Sequence, residues 1–312
     1  MKRAYVAMFV VVAALGGALA PAAPAQAAAP AFVTLAFGRT QWVAAGTSCR
    51  PFRKAISLGR VAVDLADRGL AATGIVITDR TLEHEQLCYG GYALQASWDD
   101  IGMLHDAYGW SFVSGGTHDQ DLSTKTSSEQ WAGTCGSLTT FADHGLDASG
   151  MFAWPNDTYD PTIQTSIVST CFDWGRRYGN DLNTPTIAQT PFTQHTWSLN
   201  GGYCRSKRRS CARMALRTGA TWAYQPPRRL AAYVSGATPD TWAVVQAYRL
   251  VTGAKLRGMY RWDCRDPRPR YHWTNRGEIY CYKDYLAIVD EIGAGATVAD
   301  PATVAAAWGR SV

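Results

Sequence analysis

Three polar side chains lie close together in the stretch Trp110 to Leu122, WSFVSGGTHDQDL: His118, Asp119 and Asp121. An imidazole beside two carboxylates can hold a divalent metal through hard oxygen and nitrogen donors, or it can carry protons during hydrolysis. The apolar run before Ser114 reads as a buried strand, and Gly115-Gly116 breaks it into a polar loop. Strand ends that open into such loops are where α/β enzymes keep their chemistry. Two bland alternatives stay open. His118 can be a loop histidine bonded to a backbone carbonyl, and carboxylates such as Asp121 more often cap turns. No Ser-His-Asp order, phosphate-cradling glycine loop or HExxH motif occurs in the 312 residues.

The elements that would position these groups alternate. Ala31–Phe37 (AFVTLAF) and Ala71–Thr78 (AATGIVIT) read as strands, with a helix over Arg53–Arg68 between them, stopped by Gly69. Ser97 with Asp100 predicts a capped helix over Trp98–Tyr108, ended by Gly109 before the strand Trp110–Val113. Thr126 with Glu129 predicts a second capping box. Its helix would bury Trp131, Cys135, Leu138 and Phe141 on one face and stop at Gly145. A strand over Ala148–Trp154 and a helix over Pro161–Trp174 follow. Residues 81–96 and 179–213 read as polar and irregular. Thr238-Pro239 predicts the start of a helix over Trp242–Val251, followed by a strand at Lys255–Trp262, a helix at Tyr282–Ile292 and a short last turn at Pro301–Trp308. Repeated βα units imply a parallel sheet, open or closed into a barrel.

Bulk properties narrow the context. Lys2 and Arg3, the apolar run Ala4–Ala20 and the sequence Ala25-Gln26-Ala27 form a secretory leader over residues 1–27. A secreted protein with no membrane attachment after cleavage is expected. The leader holds two of the positive charges behind a formal charge of +5, and the mild remainder argues against nucleic acid as a partner. Eight cysteines in an oxidising compartment favour disulfides, with Cys204–Cys211 and Cys264–Cys281 the first local pairs to expect. The 12 Trp and 15 Tyr suit stacking on sugar rings as well as core packing.

Several of these pieces, in this order, resemble the polysaccharide deacetylase family with its NodB-homology domain. They are VTLAF at 33–37, RGLAATGIVIT at 68–78, VSGGTHDQDL at 113–122 and FAWPNDTYD at 152–160. The resemblance covers Val33 to Asp160 and places residues 28–312 in one domain. It implies an α/β fold, an irregular (β/α)7 barrel, and hydrolysis of N-acetyl groups on glycans such as peptidoglycan or chitin. It also implies a divalent metal held by one Asp and two His, an Asp as base, and a late His as acid.

The chain departs from that pattern at several positions. Gly38 and Arg39 stand at the aspartate pair, Ser114 at the first metal histidine, and Asn156 and Asp157 after Pro155. Around the expected late Leu-His motif stands GMYRWDC, with Trp262 and Asp263 at the matching place. A rebuilt site would use His118, Asp119 and Asp121 as ligands for a divalent metal such as zinc, with Asp157 and Asp263 as catalytic carboxylates. Arg39, Ser114, Trp154, Pro155, Asn156 and Trp262 would line the substrate groove. In the alternative the protein is an inactive relative with no cofactor. Arg39 would then pair with Asp119, Asp121 or Asp157, and glycan would bind along an aromatic groove. The partner in either case is a carbohydrate polymer met by a monomeric chain.

Overall fold

A computed structural model describes residues 31–38, 55–81, 83, 96–148, 150–155, 158–178, 182–183, 194–199, 233–234, 241–255, 260–265, 273–274, 279–293 and 296–308. Seven parallel strands form a closed ring: β1 (Phe32–Phe37), β2 (Thr73–Val76), β3 (Ser111–Ser114), β4 (Met151–Ala153), β5 (Trp174–Tyr178), β6 (Gln194–Ser198) and β7 (Trp242–Ala247). Each pairs with the next, and β7 returns to β1 with Phe32 opposite Trp242 and Phe37 opposite Ala247. Outside the ring lie β8 (Arg249–Val251), β9 (Ala254–Lys255), β10 (Tyr260–Asp263), β11 (Trp273–Thr274) and β12 (Ile279–Cys281). The short β13 (Thr297–Val298) pairs with the start of β1, on the edge that β2 reaches only at Ala36 and Phe37. That shared edge makes the barrel irregular.

Around the strands lie helices α1 (Leu58–Ala66), α2 (Trp98–Tyr108), α3 (Ser127–Thr134), α4 (Gly136–Asp143), α5 (Pro161–Ser166), α6 (Tyr282–Gly293) and α7 (Pro301–Ala307), together with short 3-10 turns. Local chemistry explains their starts. The Ser97 and Thr126 hydroxyls accept from the backbone N–H groups of Asp100 and Glu129, whose carboxylates accept in return; each such box satisfies two orphan donors. Gly69, Gly109 and Gly145 take positive φ after α1, α2 and α4, where a side chain would be strained.

Strand alternation divides the interior into two layers. Val33, Leu35, Phe37, Phe112 and Phe152 face outward onto Leu58, Leu65, Ile101, Leu104 and Phe141 of the helices. Phe32, Ala36, Ile75, Val113, Met151, Ala153, Trp174, Trp242 and Val244 face inward. Val304 and Ala305 of α7 join this inner cluster. Trp308 stands 6.3 Å from Trp174 and 6.0 Å from Trp242 between ring centroids. These tryptophans open β5 and β7, so the last helix closes the N-terminal end of the barrel and leaves the C-terminal end for function.

Several expectations are corrected. Residues 242–251 form two strands, not a helix, and β7 closes the ring. Every residue of WAVVQA is buried, so its apolar run carries no amphipathic stripe to distinguish helix from strand. Trp174 opens β5 rather than ending a helix, because α5 stops at Ser166. Residues 194–198, within the segment read as irregular, are barrel strand β6. The strand expected at 255–262 is instead two antiparallel strands, β9 and β10, outside the barrel. The single helix expected after Thr126 is two, α3 and α4, and Trp131 is 55% exposed rather than buried.

Cys264 and Cys281 are bonded, as the local pairing predicts, and a second disulfide joins Cys135 to Cys171. Cys204 and Cys211, the leader, Arg39, Asn156 and Asp157 lie outside the described residues. Among the described residues no helix is long and apolar enough to cross a membrane.

Candidate active site at the C-terminal end of the barrel

Past the C-terminal ends of β2 and β3 the chain forms two adjoining loops. The 3-10 turn Thr78–Arg80 follows β2, and residues 115–121 follow β3. Backbone bonds run from Thr78 N–H to the Gly116 carbonyl (3.1 Å) and from Asp79 N–H to the Thr117 carbonyl (3.1 Å). The two strand ends are thereby laced together. Gly116 makes the bend possible: its φ is +85°, and a Cβ there would stand 2.6 Å from the Gly133 carbonyl oxygen. The Thr117 N–H donates to that same carbonyl at 2.9 Å.

Two side-chain pairs complete the lacing. His118 Nδ1 lies 2.5 Å from Asp79 Oδ2, and Arg80 Nη1 lies 3.1 Å from Asp119 Oδ2. With the Asp79 carboxylate as acceptor, Nδ1 carries a proton, so in the neutral imidazole Nε2 is the nitrogen with the free lone pair. The His118 and Asp79 side chains are 50% and 35% exposed, so solvent and a ligand can reach the imidazole. A half-exposed imidazole oriented by a carboxylate is suited to moving protons. Asp79 is the partner of His118 that the motif reading missed. The signal available was an acidic residue just past the second strand, 39 positions before the histidine; nothing local connects the two.

The other expected residues are placed differently. Asp121 caps a 3-10 turn, its Oδ1 accepting from the Ser123 N–H (3.0 Å) and hydroxyl (2.7 Å). Ser114 is fully buried and points outward with Phe152, its register partner. A one-way chain runs from the Gly116 N–H to the Ser114 hydroxyl, then to the Ser137 hydroxyl and the Thr134 carbonyl. Trp154 is also buried, edge-on to Phe152 and Tyr159, and Pro155 is buried after β4. Trp262 and Asp263 sit on β10, in an antiparallel sheet separate from the ring. The strand that closes on β1 is β7.

A catalytic divalent metal takes about three protein ligands and keeps one position open. Here Asp121 serves its own turn, Asp119 lies against Arg80, and His118 and Asp79 are bonded to each other. Among the described residues no group of three or more His, Cys, Asp or Glu could hold a metal ion. This donor set does not fit a metal centre, and no chemistry is derived through one.

No family model matches the chain, and no curated protein matches it. Solved structures do. One is the carbohydrate esterase family 4 domain of a multidomain xylanase from the hindgut metagenome of Trinervitermes trinervoides, with 11% identity, coverage of 90% of this chain and 92% of that one, and a TM-score of 0.47. A second is the chitin deacetylase of the fungal pathogen Colletotrichum lindemuthianum, with 10% identity, coverage of 91% and 89%, and a TM-score of 0.45. A third is a family 4 carbohydrate esterase from Streptomyces lividans, with 10% identity, coverage of 91% and 92%, and a TM-score of 0.36. The likeness is to deacetylase-type barrels. It concerns the fold alone, and the roles of Asp79, His118 and Gln246 are argued from this chain's own geometry.

Proposed function

We propose that the protein is a secreted carbohydrate deacetylase-type hydrolase that removes N-acetyl groups from extracellular or cell-wall glycans. The observation that carries this reading is the His118–Asp79 pair at the open end of the barrel. His118 Nε2 takes a proton from the attacking water as oxygen bonds to the acetamide carbonyl carbon. The imidazolium, held by Asp79, then gives that proton to the departing nitrogen as the C–N bond breaks. Acetate and a free amine on the sugar are the products, and the imidazole returns to its starting state. The leader-like residues 1–27 and the two described disulfides, of a kind that belongs to oxidising compartments, support export.

A second reading, glycan binding without hydrolysis, is favoured by one observation. The end of β1 carries Gly38, with no acid side chain, packed beneath Gln246. Release of acetate from N-acetylated oligosaccharides separates the two. Release by the wild type that is lost in His118→Ala supports the hydrolase. Binding of the oligosaccharide with no acetate released by the wild type replaces it with the binding reading.

A further inference from the structure

Along the inner wall of the barrel Ile75, Val113, Met151 and Ala153 face inward on β2, β3 and β4, with the bonded pair Thr73–Ser111 below them. On β5 to β7 the inward residues are Trp174, Trp242 and Val244 together with a set of polar side chains. Arg176 is opposite Gln194, and Ser198 is opposite Gln246, so Thr196 shares the inward face with them by alternation. All four described polar side chains on this wall (Arg176, Gln194, Thr196 and Gln246) are buried. Arg176 and Gln194 have partners. Gln246 and Thr196 differ: Gln246 is 0% and Thr196 1% exposed, and among the described residues neither the amide atoms of Gln246 nor the hydroxyl of Thr196 has a hydrogen-bond partner.

Buried polar groups in folded proteins are nearly always bonded, and leaving one unbonded costs stability. A carboxamide at the C-terminal end of β7, and a hydroxyl on the adjacent strand two residues before the one opposite it, both left unbonded, call for something that completes them. The space for Gln246 is also reserved. A Cβ at residue 38 would stand 2.0 Å from Gln246 Nε2 and 2.6 Å from Tyr248 Cε1, so only glycine at that position lets the amide lie where it does. The Gly38 N–H bonds to the Ala247 carbonyl at 2.8 Å and fixes the two strand ends together.

We propose that Gln246, with Thr196, recognises a neutral amide group of the ligand. The argument is one of complementarity. A primary carboxamide offers both an acceptor oxygen and donor N–H groups. A carboxylate or phosphate would satisfy only the donors and leave Oε1 facing another acceptor, and a cation would do the reverse. An amide both donates and accepts, and the Thr196 hydroxyl can adapt to either. The inference deepens the preceding reading and rests on it for the identity of the larger ligand, an N-acetylated glycan. Gln246 then selects the acetamido group while His118 moves the proton.

The test uses acetamide, the bare group, read by thermal shift and NMR on the purified protein beside acetate as control. Acetamide in the millimolar range is expected to raise the unfolding temperature of the wild type, and acetate is not. Gln246→Met, of similar length but without donors or acceptors, is expected to lose the response while unfolding at an equal or higher temperature without ligand. Its affinity for an N-acetylated oligosaccharide falls about tenfold, the worth of a typical hydrogen bond. Gly38→Ala, which displaces the amide without changing residue 246, gives the same loss.

Three results overturn the proposal: no response in the wild type, an equal response to acetate, or an undiminished response in Gln246→Met. A destabilised Gln246→Met that still answers to acetamide marks the amide as a structural, water-bonded group and also overturns it. Acetamide is not a glycan, so failure of the hydrolase reading, seen as absent acetate release, leaves this result distinguishable.

Discussion

The titratable groups on one side of the barrel mouth are paired, whereas two neutral groups on the other, Thr196 and Gln246, are buried without a described partner; the Thr78 hydroxyl is the exception on the first side. On the β2–β3 side each named polar group has a partner: His118 with Asp79, Arg80 with Asp119, Asp121 with Ser123, and Ser114 with Ser137 and Gly116. On the β6–β7 side Thr196 and Gln246 are buried without hydrogen-bond partners among the described residues. A satisfied group is held in one orientation, which acid–base chemistry needs. An unsatisfied one lowers the stability of the free protein and gains when a complementary ligand arrives. In the proposed reading the first wall carries proton transfer and the second recognition.

Four changes would break or sharpen that contrast. Removing the Cys135–Cys171 bond, which closes a 36-residue separation just behind the His118 loop, is expected to cost about 3–4 kcal/mol in denaturant unfolding. A loss near zero would mean that the first wall does not depend on this brace. Gly116→Ala forces a side chain into φ +85° against the Gly133 carbonyl. A cost of about 1–3 kcal/mol is expected, with loss of the His118–Asp79 contact visible in the imidazole NMR signals. Ser114→Ala cuts the buried hydroxyl chain and should destabilise by about 1 kcal/mol. Thr196→Val removes a buried hydroxyl that has no partner, and is expected to leave stability unchanged or raise it by up to about 1 kcal/mol. If Thr196→Val cost as much as Ser114→Ala, the two walls would not differ as described.

A weaker effect belongs to the helix layer. Burial pushes the Tyr282 and Tyr285 hydroxyls well above the usual tyrosine value of 10.0, and Tyr282 is further held protonated by its bond to Asp64. Their folded-state ionisation lies above the unfolded one. The stability they contribute is therefore complete below pH 10 and is lost as pH rises beyond it. Alkaline unfolding monitored by tyrosinate absorbance should show this, and Tyr282→Phe should weaken the dependence.

Much of the first half of the chain is legible in its sequence because local chemistry decides it. Ser97 and Thr126 begin helices with capping boxes, Gly109 and Gly145 end them, and the strand before His118 is a short apolar run between turn signals. The second half hides its strands for physical reasons. Every residue of WAVVQA is buried, so the run shows no period, and Thr238-Pro239 mimics a helix start. QHTWS at 194–198 alternates polar residues that only a polar barrel wall would bury. The site was half visible. His118 stands out in its loop, but its carboxylate partner is on another strand end, and which of Asp79, Asp119 and Asp121 it meets is decided by the pairing of β2 with β3. Gln246 could not have been singled out, since its meaning lies in the glycine it covers and the partners it lacks.

The most direct test of this division is steady-state kinetics of acetate release from an N-acetylated oligosaccharide by the wild type, His118→Ala and Gln246→Met. The expected result is a kcat about 10²-fold lower with KM unchanged for His118→Ala, and a raised KM with kcat held for Gln246→Met. No release by the wild type, or both variants altering the same constant, would contradict it.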